Sequence, residues 1–275
     1  MSDQDRNLIA VSIEAGIAEV RLNRPAKMNA LNDAMFNGLV DAGEKLIGDN
    51  SVRAIVLSGE GPAFSAGLDT SNFSIMASAD ENVSYPKVAP RTHGNANRGQ
   101  YVALLWRRMA VPVIAAIHGV AYGAGLQLAL GADLRYATAD AKFALREMRW
   151  GLIPDMAGFA LLRSLARDDV VRELTYSGRV FTGVEAVGYG VATRLAADPR
   201  AAALTFAREV VDSNPDAIRA AKRVINMCAD SNADALLYAE SVEQDLIIGS
   251  PNQAEAVTAS MQRRKPHFTD PASAV

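Results

Sequence analysis

Apolar and polar residues alternate through residues 8–14 and again through 18–22, on either side of Ala15-Gly16. That spacing predicts a β-hairpin. The period then lengthens: Met35, Phe36, Leu39, Val40 and Leu46 fall on one helical face between Asp33 and Ile47, with Asn32 placed to cap the first turn. Residues 54–58 (AIVLS) are a short apolar run, the signature of a buried strand, and a stretch rich in Gly and Ser follows from Gly59 to Ser74. Residues 76–99 are polar without a clear period and predict a long loop or lid. A helical pattern over 100–109, a strand at 113–117, a Gly-rich turn, a helix at 124–130 and a strand at 134–137 complete the rhythm. Strand, turn and helix in repeated order predict an α/β fold with crossover connections.

After about Phe181 the pattern turns helical. Asp198-Pro199, Asn214-Pro215 and Ser250-Pro251 each pair a capping side chain with proline at the first helical position. The expected division is an α/β core over residues 1–196 and a helical module over 197–275, with an extended tail from 263.

Composition narrows the function. The chain has 275 residues, 49% of them hydrophobic, enough to bury a large core. The formal charge is −3, with Lys and Arg scattered, which gives no surface for nucleic acid or an anionic membrane. The one tight basic run, Arg263-Arg264-Lys265, is either a solvated patch or a phosphate contact. No apolar run reaches the roughly 18 residues of a membrane span. The opening MSDQDRN has acids and no apolar stretch, so no signal peptide is expected and a cytoplasmic location is. A single cysteine, Cys228, excludes an intrachain disulfide and is expected to pack as a small buried hydrophobe. No His/Cys spacing suits a metal.

Two Gly-rich turns follow buried strands: AFSAGLD (residues 63–69) and HGVAYGAGLQ (residues 118–127). Small residues allow close backbone approach to a ligand. Ala124 would open a helix, where unpaired N–H groups favour negative charge. Two such N–H groups on one carbonyl oxygen make an oxyanion hole. A glycine turn alone more often serves packing, and neither turn fits a dinucleotide or Walker A fingerprint.

Taken together, these turns and three further segments are similar to the crotonase superfamily of enoyl-CoA hydratases and isomerases. The further segments are RPAKMNAL (24–31), KFALREMRWGLIPDMAG (142–158) and YSGRVFTGVEAVGYGVA (176–192), and the second turn extends over 112–137. The resemblance implies a spiral core of repeated ββα units, a helical C-terminal module, and assembly into homotrimers or dimers of trimers. It implies an acyl-CoA thioester substrate in fatty-acid metabolism, with coenzyme A part of the substrate and no further cofactor. It assigns the oxyanion N–H groups to Ala66 and Ala124, where the family most often has glycine at the second.

The same resemblance locates the acid–base residues. Hydratases of the family carry two glutamates; here the first position is Gln127 and the second, 20 residues on, is Glu147. An amide trades no proton near neutral pH, so Gln127 is left to orient substrate or water. Asp155 stands where dienoyl-CoA isomerases carry an aspartate; the other reading of it is a cap for the next helix. Glu147 with Asp155 therefore favours double-bond isomerisation. Water addition to a 2-enoyl-CoA, with Gln127 holding the water, is the alternative. A silent CoA-binding protein and a dehalogenase with Asp155 as nucleophile are further down. The resemblance also implies CoA contacts from Lys27 and Met28, and from Lys265 and Phe268 of a neighbouring subunit. His118 is expected to be structural.

Overall fold

The computed structural model describes residues 7–77 and 86–271. Strands β1 (Ile9–Glu14) and β2 (Ile17–Leu22) pair antiparallel as the expected hairpin. Its two turn residues, Ala15 and Gly16, both take positive φ, the turn whose twist matches that of the strands. Helix α1 (Asp33–Ile47) starts where Asn32 accepts from the Met35 N–H and buries Met35, Phe36, Leu39, Val40 and Leu46. Strand β3 (Ala54–Gly59) leads through the first Gly-rich turn into α2 (Thr70–Met76). That helix was not expected from the sequence; it has one buried residue, and Asp69 caps it through the Ser71 N–H. The segment 76–99 expected as a loop includes 78–85, which lies outside the described residues.

Helix α3 (Arg98–Arg108) opens with an Asn97/Gln100 capping box. Then come β4 (Val113–Ile117), β5 (Val120–Tyr122), α4 (Ala124–Leu130), β6 (Leu134–Ala137) and β7 (Lys142–Ala144). Short α5 (Gly158–Leu162), α6 (Asp168–Ser177), β8 (Phe181–Thr182), α7 (Gly183–Gly188) and β9 (Arg194–Leu195) complete the core. The six-stranded sheet has the order β1-β2-β3-β4-β6-β9, parallel from β2 onward, and β5-β7-β8 form a second, smaller sheet.

The two central strands explain why their sequences are continuous rather than alternating: a parallel strand covered on both faces has no polar side. On one face of β3, Ile55 and Leu57 meet Leu39, Leu105 and Trp106 in the main core. On the other, Val56 meets Ala203, Ala207 and Val210 of α8 (Pro199–Val211). The expected boundary at 196/197 thus falls just before a helix that is itself packed on the sheet. Helices α9 (Pro215–Met227), α10 (Ala233–Ile247) and α11 (Pro251–Gln262) follow, each started by an Asn or Ser cap. No residue of α10 is buried, and Leu237, Tyr238, Leu246 and, on α11, Met261 are strongly exposed.

One expectation is corrected. Cys228 is exposed, because it ends α9 on a side that no described element covers. Of the two readings of the basic run, the single chain shows the solvated patch: Arg264 and Lys265 are exposed ion-pair partners of Glu255 and Asp212. Among the described residues no helix is long and apolar enough to cross a membrane.

Candidate active site

The two Gly-rich turns are stitched directly to one another. The Phe64 N–H donates to His118 O at 2.9 Å, the Ser65 N–H to Val120 O at 2.9 Å, and the Tyr122 N–H to Ser65 O at 3.1 Å. The contact leaves no room for side chains: a Cβ on Gly125 would lie 2.6 Å from the Ser65 Cβ. Behind them stands the RPAKMNAL segment. Met28 and Asn29 both take left-handed φ, a conformation asparagine tolerates better than most residues. Asn29 is fully buried; its amide donates to Glu60 O and Ala63 O, its Oδ1 accepts from the Arg24 N–H, and its carbonyl accepts from Ser65 Oγ. Asn29 and Ser65 are site-building residues that the sequence reading missed. The signal was a polar residue inside the otherwise apolar end of RPAKMNAL, which only its fold context makes readable.

This stitching decides which N–H groups are available. The Ala66 N–H donates to Met28 O at 2.8 Å, so it is not the free donor expected of it. The reason is the parallel bridge between Leu31 and Leu68: Leu31 N–H donates to Gly67 O and Asp69 N–H to Leu31 O. In that pattern the N–H of Leu68 itself points to the opposite side. Among the described residues neither the Leu68 nor the Ala124 N–H has an acceptor. Ala124 is the first residue of α4, where a helix leaves its N–H unpaired. The turns meet at this point: a Cβ on Gly67 would lie 3.6 Å from the Ala124 nitrogen.

Glu147 comes to the same place. It begins a 3-10 turn, Glu147–Trp150, and its Oε1 lies 3.1 Å from where a Cβ on Gly123 would be. That oxygen accepts from the Gln127 amide at 2.7 Å, while Oε2 is buried without a hydrogen-bond partner. Gln127 is 1% exposed, and its carbonyl oxygen accepts from the Met156 N–H at 2.9 Å and the Gly158 N–H at 3.1 Å. Both of its acceptor sites are used within the protein. The expected substrate- or water-orienting role is therefore narrowed: Gln127 fixes Glu147 and the 156–158 turn.

Burial, and secondarily the charge of Asp155, push the Glu147 carboxyl above the usual range; hydrogen bonds from the backbone and Gln127 oppose this. Asp155 stays open at the rim, yet the protein around it removes enough water to raise its carboxyl as well. It caps nothing: the N-cap position of α5 is Ala157, in left-handed conformation and without a side-chain cap. Asp69 is the opposite case, held down at about 2 first by the Arg24 guanidinium and then by the Ser71 N–H.

The remaining expected residues separate into two places. Lys27 and Met28 are exposed beside the first turn. Lys265 pairs with Asp212, and the Phe268 carbonyl accepts from Arg53, which precedes β3. Within one chain they therefore lie at the far end of the parallel strands from Glu147. A separate hollow of 210 Å³ lies between α1, α3 and α9, away from the carboxylates. One of its buried cations, Lys222, is bound to Val111 O and Asp133, so it acts as a structural tie. His118 bonds Gly61 O at 2.8 Å and braces the first turn. No group of three metal-ligating side chains occurs among the described residues.

The enoyl-CoA hydratase/isomerase family model matches residues 12–271. The chain is 29% identical over 269 residues to the mitochondrial Delta(3,5)-Delta(2,4)-dienoyl-CoA isomerase of Mus musculus, covering 96% of this chain and 82% of the relative. It is 32% identical over 262 residues to the 1,2-epoxyphenylacetyl-CoA isomerase of Escherichia coli K12, covering 94% and 96%. The solved enoyl-CoA hydratase of Mycobacterium smegmatis superposes with a TM-score of 0.82 at 28% identity, covering 96% of this chain and 99% of that one. The chain belongs to the enoyl-CoA hydratase/isomerase family of the crotonase superfamily.

Proposed function

We propose that the protein moves a double bond within an enoyl- or dienoyl-CoA thioester, using Glu147 and Asp155 as its proton-transfer pair. The observation that carries this reading is the state of Glu147: one oxygen is fixed by Gln127, the other is buried and free, and a second carboxyl is close enough to disturb it. Two neighbouring carboxyls raised by burial favour a state in which one holds a proton and the other does not. The ionised member takes a proton from one carbon of the acyl chain, and the electron pair runs to the thioester oxygen. The N–H groups of Leu68 and Ala124 hold that oxygen, each worth about 3–4 kcal/mol. The protonated member then returns a proton at another carbon, the electrons come back, and the double bond has moved. Proton exchange with solvent resets the pair. The step moves no net electrons, so the reading asks for no cofactor beyond the CoA of the substrate.

The free Glu147 oxygen supports a second reading, addition of water to a 2-enoyl-CoA. Against it, the Gln127 carbonyl oxygen is already taken by two backbone N–H groups, which leaves one amide hydrogen for that water. Ultraviolet spectra of 3,5-dienoyl-, 3-enoyl- and 2-enoyl-CoA incubated with the protein separate the two. Isomerisation without 3-hydroxyacyl product is expected; a hydroxyacyl product from the 2-enoyl ester alone overturns the first reading in favour of the second.

Assembly into trimers or dimers of trimers is part of the proposal, because α10 and α11 expose Leu237, Tyr238, Leu246 and Met261 without cover in the single chain. Lys265 and Phe268, remote from Glu147 in their own chain, would then reach the CoA of a neighbour. Light scattering reads the mass; a monomer at assay concentration would remove that role from both residues.

A further inference from the structure

The aromatic residues beside the carboxylates are not used by the proton transfer. Phe73 of α2 and Trp150 stack with ring centroids 4.1 Å apart and planes 13° from parallel. The pair spans the two halves of the site. Phe73 sits five residues after Leu68, on the helix that Asp69 starts. Trp150 ends the 3-10 turn that Glu147 begins. In a 3-10 helix residues three apart eclipse, so the indole lies on the same side as the Glu147 carboxyl. From Trp150 the chain turns through Gly151, at φ +70, and returns with Asp155.

Trp150 nevertheless remains 50% exposed, and Leu152 and Ile153 beside it are 37% and 60% exposed. The other tryptophan, Trp106, is fully buried. An open indole, fixed by a stacked partner on the turn that carries the carboxyl, presents a flat apolar surface on the side where the proposed reaction needs an acyl group. A flat conjugated acyl group can stack on that surface, whereas a flexible alkyl chain gains contact area alone.

We propose that the Phe73–Trp150 stack is the acyl wall of this site and selects conjugated acyl groups, dienoyl or aryl, over flexible saturated tails. This rests on the acyl-CoA reading above and adds the substrate class. A stacked aromatic contact accounts for about a 3- to 10-fold preference.

The test is a fluorescence titration with benzoyl-CoA, hexanoyl-CoA and free CoA, which needs no turnover. Benzoyl-CoA is expected to quench the exposed Trp150 and to bind about 3- to 10-fold more tightly than hexanoyl-CoA. Trp150→Leu is expected to abolish the quench and that preference, read by competition, and Trp150→Phe to keep the preference. Phe73→Leu, which leaves the 3-10 turn intact, is expected to reduce it. Equal weakening of both esters in Trp150→Leu and Phe73→Leu, or no change in either, overturns the wall and makes the pair a strut. Binding of neither ester by the wild type overturns the acyl-CoA reading and the wall with it. Benzoyl selectivity without any dienoyl isomerisation leaves the wall standing and removes only the proposed reaction.

Discussion

The site has a backbone half and a side-chain half, and they are built differently. The backbone half, the two Gly-rich turns, is bonded into the core strand by strand and supplies N–H groups whose presence does not depend on which side chain is attached. The side-chain half, residues 147–158, lies on a 3-10 turn and a loop at the rim, with Glu147 held by one amide and Asp155 open. On the proposed reading, the first determines what intermediate can be held, and the second what is done with it. A family built this way can change its reaction by exchanging a few rim side chains while the core stays put.

The largest effect should come from the side-chain half. Glu147→Gln keeps the shape and the hydrogen-bonding capacity but removes the proton carrier, and turnover is expected to fall about 10²–10⁴-fold. Stability should not fall with it. The folded pKa of Glu147 lies above its unfolded value, so the native state holds more protons across that window. Stability therefore declines as pH rises through it. The variant should lose this decline, which urea melts at a series of pH values would show. A variant that retained full activity would remove Glu147 from the mechanism.

The backbone half should respond to one kind of change only. Ala124→Gly keeps the N–H and should alter turnover only a few-fold. Ala124→Pro removes it at the first helical position, where proline is best tolerated, and should lower kcat about 10²–10³-fold with the fold retained. Equal activity of the two variants would mean that the Ala124 N–H does not hold the developing charge.

These halves also differ in how far the sequence revealed them. The hairpin, α1, α3 and α4 were legible because their apolar period, caps and turn residues agree, and the Asn32 cap and 124–130 bounds were read directly. The proline-started helices were legible for the same local reason. Short α2 and the 3-10 turn were not, since each follows from a single cap or from neighbours rather than a period. Ala66 was misassigned because alternate N–H groups of one segment face opposite sides. Only the pairing with Met28 and Leu31 tells which of them remain free. Gln127 was legible as a departure, but its three hydrogen bonds link positions up to 31 residues apart, which spacing does not disclose.

Asp155→Asn should have the next effect, about 10²-fold on isomerisation, because one carboxyl can take a proton but none then returns it from that side. Two outcomes distinguish this from structural damage. Glu147 alone can still remove and replace a proton at one carbon, so deuterium from solvent should enter the substrate while the double bond stays. Removing the like charge also lowers the Glu147 pKa, so the pH limb that it governs should move to lower pH. A limb that does not move means that the two carboxyls do not interact.

The smallest effect lies at the junction of the halves. Asp69 follows Leu68, starts α2 and pairs with Arg24. Asp69→Asn retains a capping side chain but loses the charge, so only the ion pair is removed, at about 0.5–1 kcal/mol. The sign with pH is opposite to that of Glu147. The Asp69 pKa is lowered to about 2 in the folded protein, so its contribution is present above the unfolded value of 3.8 and is lost as pH falls towards 2. The variant should therefore melt earlier at neutral pH and lose less stability on acidification. Asp69→Ala removes cap and charge together and should cost about 1 kcal/mol more. If α2 only supports the aromatic wall, both variants should leave proton transfer within a few-fold of wild type. A large fall in kcat for Asp69→Asn would instead show that the Arg24–Asp69 pair sets the position of the Leu68 N–H, and that the backbone half depends on a side chain after all.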